Sequence, residues 1–280
     1  MDQLDNKDPP GRLPPLRGSL VCVGLGITLG SHISPRSQSW ISAADVVFAA
    51  VSDPLVELWL QEMHPDVRSL QPHYSVGKSR HLTYRGMVAE IMDEVRAGKR
   101  VCGAFYGHPG VFARAPHAAI AQARAEGFPA TMEPGISAED CLYADLGIDP
   151  GEFGCQHYEA SQLMFYERRI DPSAYLVLWQ VGVAGDRSFG RFSTSPQRLQ
   201  LLVDRLAADY PVSHPCTLYE APTLAMRPPR IETIHLSQLP AATLGTATTL
   251  VLPPAIGMAR NAGMLERLDA LESGLDGSND

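Results

Sequence analysis

Along the first half of the chain, short apolar runs at Leu20–Val23, Val46–Val51 and Val101–Phe105 alternate with longer stretches whose apolar residues recur at helical spacing. Runs of this length, bounded by charged or turn residues, suit strands covered on both faces, and their alternation with helices predicts parallel βαβ units. From Ser79 onward Met87, Val88, Ile91, Met92 and Val95 lie on one helical face, with Gly98 closing the run. Ala115–Ala125 reads as another helix. After about Ala130 the strands Tyr175–Val181, Cys216–Tyr219 and Thr249–Leu252 follow with fewer helices between them, which predicts a mixed sheet. The expectation is an α/β protein of two domains, residues 18–128 and 129–256. A polar, proline-rich tail precedes them at 1–17, expected to be disordered, and a leucine-spaced C-terminal helix and tail at 257–280 follow them.

The turns carry the chemistry. Tyr106-Gly107-His108-Pro109-Gly110-Val111-Phe112 sits where the strand ending at Phe105 gives out and a helix begins, the place where open α/β folds bind ligands. Val21-Cys22-Val23-Gly24-Leu25-Gly26 is a second strand-to-glycine turn. A dinucleotide fingerprint would need glycine at position 29, which is leucine, so the turn suits an adenosyl ligand lacking a pyrophosphate. Gly77-Lys78-Ser79 is no phosphate loop, because Pro72 stands where that motif needs glycine. Arg80 and Tyr84 fall one helical turn apart. Such a pair is either an inert surface contact or a site where the cation favours the phenolate. Pro134-Gly135 leads into Ser137, which reads either as an N-cap or as a turn offering amide groups to a ligand.

Composition narrows the class. The formal charge of −8 and the absence of a basic cluster argue against nucleic-acid binding, and no apolar run is long enough to span a bilayer. Five scattered cysteines (22, 102, 141, 155, 216) read as free thiols in a reducing, cytoplasmic setting. His108, His117 and His157 lack partners at metal-ligand spacing, so no metal is expected.

Taken together, GSLVCVGLG, YSVGKSRHLTY, AFYGHPGVFA, EGFPATMEPGISAEDCLYADLGIDP, YEAS (158–161), LVLWQVGVAG and TTLVLPP resemble the tetrapyrrole methylase family, and within it the borosin peptide α-N-methyltransferases, from about Gly18 to Pro254. The resemblance implies S-adenosylmethionine as cofactor, S-adenosylhomocysteine as its product, and backbone amides of a ribosomal peptide as substrate. It assigns catalytic roles to Tyr74, Arg80, Tyr84 and Tyr106. Tyr106, His108, Val111, Phe112, Ser137, Ala138, Gln180, Tyr219, Thr248 and Thr249 are implied to line the cofactor pocket. It further implies a homodimer. Because the chain stops soon after Pro254 with no Val/Ile/Gly-rich core sequence, either the chain is a truncated one or, as expected here, it belongs to a split system, in which a separate precursor with a leader domain and a C-terminal core binds in trans as a heterotetramer. A small-molecule methylase of the tetrapyrrole type is the alternative.

Overall fold

The computed structural model describes residues 18–51, 53–75, 79–188 and 190–276. The tail 1–17 and the lysine of the Gly-Lys-Ser triplet lie outside the described residues. The first unit runs β1 (Ser19–Gly24), α1 (Pro35–Ala43), β2 (Val46–Ala50), α2 (Pro54–Met63), β3 (Val67–Ser69), α3 (Arg80–Arg96), β4 (Arg100–Phe105), α4 (Arg114–Ala125) and β5 (Ala130–Met132). Its strands form one parallel sheet in the order β3-β2-β4-β1-β5.

Strand alternation explains why the apolar runs are continuous. Leu20, Cys22, Val46, Phe48 and Val101 turn to the face packed by α3 and α4, whereas Val21, Val23, Val47, Ala49 and Cys102 turn to the face packed by α1 and α2. With helices on both faces, the inner positions 20–23, 46–50 and 101–105 carry no polar side chain, and polar residues such as Arg68, Ser69, Arg100 and Thr131 fall on the edge strands or strand ends.

The second unit contains α5 (Ala138–Leu146), α6 (Pro150–Phe153), β6 (Cys155–Glu159), α7 (Ala160–Phe165), β7 (Tyr175–Trp179), α8 (Pro196–Leu206), β8 (Pro215–Glu220), β9 (Arg230–His235) and β10 (Thr249–Leu252). The sheet order is β6-β7-β10-β8-β9, with β6 parallel to β7 and the other pairs antiparallel. One face packs on α7 and α8 through Leu163, Leu202 and Leu206, and the other takes Leu142 and Ile148 against Val177 and Val251.

Two boundaries differ from the sequence reading. Residues 130–132, expected in the second domain, form β5, an edge strand hydrogen-bonded to β1. The change of sheet therefore falls at Pro134-Gly135, between β5 and α5, and a three-residue strand is too short to announce its sheet by pattern. The run Tyr175–Val181 stops as a strand at Trp179, because Gln180 takes a left-handed backbone (φ 57°, ψ 38°). Farther on, α9 (Ala262–Asp276) leaves Met264, Leu268 and Leu271 exposed along one stripe.

Candidate active site

Three glycine turns that are far apart in sequence meet at the carboxyl ends of β1 and β4. Gly26 donates its N–H to the Gly107 carbonyl at 3.2 Å, and Gly107 returns the bond at 2.9 Å. Gly24 and Gly135 press against the same carbonyl. A methyl group added to Gly24 would sit 2.4 Å from Gly107 O and 2.8 Å from the Gly135 Cα; one added to Gly135 would sit 2.6 Å from Gly107 O. Only residues without a Cβ let these backbones approach so closely.

The seam places Tyr106 and the following loop over the second sheet. His108 folds onto its own loop, its Nδ1 accepting from the Gly110 N–H at 2.8 Å, and Val111 closes the turn by donating to the His108 carbonyl at 3.2 Å. Phe112 adopts φ 49° and leaves 51% of its surface exposed, its ring 5.6 Å from Trp179. Among the described residues only Phe112 and Gln180 combine a side chain with positive φ. Both line one cavity of about 180 Å³, together with Arg80, Tyr84, Arg114, Glu159 and Asp186. A bulky residue held at positive φ costs energy, and such strain concentrates where a site demands it.

At that cavity Arg80 opens α3, with Ser79 as its N-cap, and Tyr84 follows one turn later. The Arg80 guanidinium donates to the Arg191 carbonyl at 3.4 Å and lies 6.0 Å from the Phe192 ring centre. Tyr74 caps the 3-10 turn Gln71–His73 and hydrogen-bonds Tyr84. Burial pushes the Tyr74 phenol up to about 12, the Tyr84 neighbour adds to that, and Arg80 pulls against it without prevailing. At Tyr74 desolvation therefore outweighs the cation. Burial likewise lifts Tyr106 to about 12, with Cys141 contributing.

The remaining cofactor candidates gather behind the seam. Tyr219 pairs with Thr249 across β8 and β10, and its hydroxyl donates to Asp145 at 2.7 Å, while burial and that bond hold its pKa well above the ordinary value. Thr248 donates to Glu220 at 2.5 Å and accepts the Gly245 N–H at 2.7 Å, and its carbonyl receives the Val181 N–H beside Gln180. Ser137 caps α5 in a reciprocal box with Asp140, its backbone N–H and its hydroxyl each 2.7 Å from the Asp140 carboxylate, so capping consumes its polar groups. Ala138 packs beside Cys141 against the second sheet. Thus Phe112 and Gln180 line the cavity and Tyr106 is held largely buried outside its lining, whereas Ser137, Tyr219 and Thr248 give shape through hydroxyls already committed.

This set fits S-adenosylmethionine. An adenosyl group and a sulfonium call for close backbone, aromatic faces and uncharged oxygens. Burial keeps the Tyr106 hydroxyl neutral, and the packed glycine turns supply the backbone.

Sequence reasoning missed part of the surroundings. Glu159, Ser161, Gln162, Arg114 and Asp186 also line the cavity. Only the YEAS string at 158–161 pointed toward any of them. His157, weighed as a metal ligand, instead joins an aromatic and hydrogen-bonded chain. Trp179 Nε1 donates to its Nδ1 at 3.1 Å, Tyr143 lies 2.7 Å from its Nε2, and the Tyr143 hydroxyl donates to Glu139 at 3.0 Å.

A parallel sheet is joined to a mixed one, with glycine turns packed against each other at the seam. The chain matches the family model for tetrapyrrole (corrin/porphyrin) methylases over residues 19–238, and it belongs to that family. Among solved structures it resembles uroporphyrin-III-C-methyltransferase from Thermus thermophilus, with a TM-score of 0.61 at 20% identity, covering 85% of this chain and 95% of that one. It is 41% identical over 247 residues to a methyltransferase/ribosomally synthesized type I borosin cyclic peptide precursor of Coprinopsis marcescibilis. It is also 39% identical over 261 residues to the methyltransferase/omphalotin A precursor of Omphalotus olearius. These alignments cover 86% and 92% of this chain but 63% of each relative, so the chain spans under two thirds of their length.

Proposed function

We propose that this chain transfers methyl groups from S-adenosylmethionine to backbone amide nitrogens of a ribosomally made peptide. The observation that carries the reading is the convergence of Arg80, Tyr84, Phe112 and Gln180 on one cavity, with Tyr74 bonded behind Tyr84. The relatives' descriptions, which join a methyltransferase to a cyclic peptide precursor, support the substrate class.

An amide nitrogen is a poor nucleophile because its lone pair is delocalised into the carbonyl. The enzyme must remove the N–H proton and stabilise the charge that grows on the carbonyl oxygen. When bound, S-adenosylmethionine supplies an activated methyl group and yields S-adenosylhomocysteine, and Tyr106, His108, Val111, Phe112, Ser137, Ala138, Gln180, Tyr219, Thr248 and Thr249 would hold it. Tyr84 takes the role of base. Arg80, which keeps its charge at any working pH, lines the same cavity, and Tyr74, held protonated, donates to Tyr84. Tyr106, also held protonated by burial, would donate to the amide oxygen. Holding the reacting atoms together supplies much of the remaining barrier reduction.

Arg80→Met tests these roles. Methylation should fall ~10²- to 10⁴-fold, the usual contribution of a positioned base, with cofactor affinity nearly unchanged. Substantial retained turnover would remove Arg80 from the mechanism. The finer proposal, a homodimer that takes its peptide from a separate precursor, is checked by mixing the chain with a leader-bearing peptide and measuring the mass of the complex. Two enzyme subunits with two precursors are expected, and failure to associate contradicts presentation in trans.

A further inference from the structure

Beside the candidate active site lies a second cavity of about 470 Å³, bounded by the end of α7, residues 185–188 with Arg191, and the start of α8. Its apolar wall is Met164, Phe165 and Leu201, the last two 37% and 60% exposed. Its polar wall is Arg187, Arg191 and Arg198. The two cavities share Asp186 in their linings, so they adjoin.

Several arginines sit on carboxylates: Arg68 on Asp66 and Glu94, Arg100 on Asp45, Arg230 on Glu220 and Glu232. Among the described residues Arg187, Arg191 and Arg198 have no ion-pair partner, and the same holds for Arg80 and Arg114 in the adjoining cavity. Asp186 does not neutralise them. Its carboxylate accepts from Ser188 Oγ at 2.6 Å and from the N–H groups of Ser188, Gly190 and Arg191 at 2.9–3.0 Å, so it shapes the loop that presents the arginines. A chain of net charge −8 thus concentrates unpaired guanidinium groups beside exposed apolar side chains at this place.

We propose that this compartment is a substrate subsite that docks an acidic, apolar stretch of the peptide undergoing methylation. Carboxylates would lie on Arg187, Arg191 and Arg198, and apolar side chains against Met164, Phe165 and Leu201. Guanidinium groups pair with carboxylates through two parallel hydrogen bonds, and the apolar wall selects a peptide over a bare anion. The proposal rests on the peptide reading above and adds a recognition rule: acidic residues flank the methylated segment at the distance that spans the two cavities.

The test uses fluorescein-labelled peptides that share one apolar core and differ in flank, carrying glutamate, glutamine or lysine. Anisotropy gives affinity without turnover, and methylation kinetics are read in parallel. The glutamate flank should bind the wild-type protein roughly 5- to 30-fold more tightly than the glutamine flank, an advantage that fades with salt. In the Arg187→Gln/Arg198→Gln double variant that preference should disappear, with KM raised for the glutamate peptide and kcat retained. Equal binding of the three flanks by wild type overturns the subsite, and this comparison stands even if the variant fails to fold.

The two readings fail separately. Arginine-dependent binding without any methylation keeps the subsite and removes the peptide-methylation reading. Methylation indifferent to flank charge does the reverse. Displacement of the glutamate peptide by single-stranded DNA at equal potency, or dissociation of a dimer in the arginine variant, would assign the surface to another occupant and overturn the proposal.

Discussion

Gly24→Ala probes the seam on which the site depends. The added methyl would lie 2.4 Å from the Gly107 carbonyl oxygen, 2.8 Å from the Gly135 Cα and 3.1 Å from the Pro109 Cδ. Unstrained nonbonded contacts begin near about 3.5 Å, so the overlap with the carbonyl is roughly 1 Å, and the nearest obstacles are backbone that cannot rotate away. Overpacking of this kind costs ~1–3 kcal/mol. Moving Gly107 also weakens one of its two bonds to Gly26, at ~1 kcal/mol more, for a total of ~2–4 kcal/mol. Urea denaturation would read the loss as a lower midpoint at constant slope, and calorimetry should show weaker S-adenosylmethionine binding, because Tyr106 and His108 ride on the displaced turn. Gly135→Ala meets the same carbonyl at 2.6 Å, so the double variant should fall short of additivity by ~1 kcal/mol or more. Wild-type stability in Gly24→Ala, or full additivity in the pair, would refute the close approach of the three turns.

Other expectations follow from the polar groups around the site. Thr248→Val keeps the shape but strips the Gly245 N–H and the Glu220 carboxylate of a buried partner; a loss of ~1–3 kcal/mol by denaturation is expected, and a neutral result would contradict the hydrogen bonds. His157 should make stability depend on pH. Burial lowers its pKa below the ordinary value of about 6.5, with Glu139 opposing, and because Trp179 donates to Nδ1 the neutral ring carries its proton on Nε2, toward Tyr143. Between the folded pKa and about 6.5 the unfolded chain binds the extra proton, so stability is lost as pH falls from about 6.5 and retained above it. His157→Asn should flatten that slope, whereas a wild-type protein that gains stability on acidification through this window contradicts the assignment.

The first sheet was legible because burial on both faces writes strands as unbroken apolar runs, and the helix at Arg80–Arg96 because Met87, Ile91 and Val95 repeat at turn spacing. That same periodicity set Arg80 and Tyr84 one turn apart but left an inert surface contact open, and only the fold brings both to one cavity. What pattern could not give was distance across the fold. Gly24, Gly107 and Gly135 each read as separate turns, and only their packing makes one seam. The short strand Ala130–Met132 carries too few residues to declare its sheet, which moved the expected domain boundary. The left-handed Gln180 was hidden too, since a glutamine after an apolar strand gives no local sign of positive φ. Nor could sequence weigh burial against charge at Tyr74, where desolvation prevails over Arg80.

The most direct test of the central claim is fragmentation mass spectrometry of an apolar peptide with acidic flanks, incubated with the chain and S-adenosylmethionine. The account predicts mass increments of one methyl each, located on backbone nitrogens, absent without cofactor and strongly reduced in Arg80→Met. A peptide that binds in the presence of bound cofactor yet gains no methyl group, or gains it only on side chains, would contradict backbone-amide methylation.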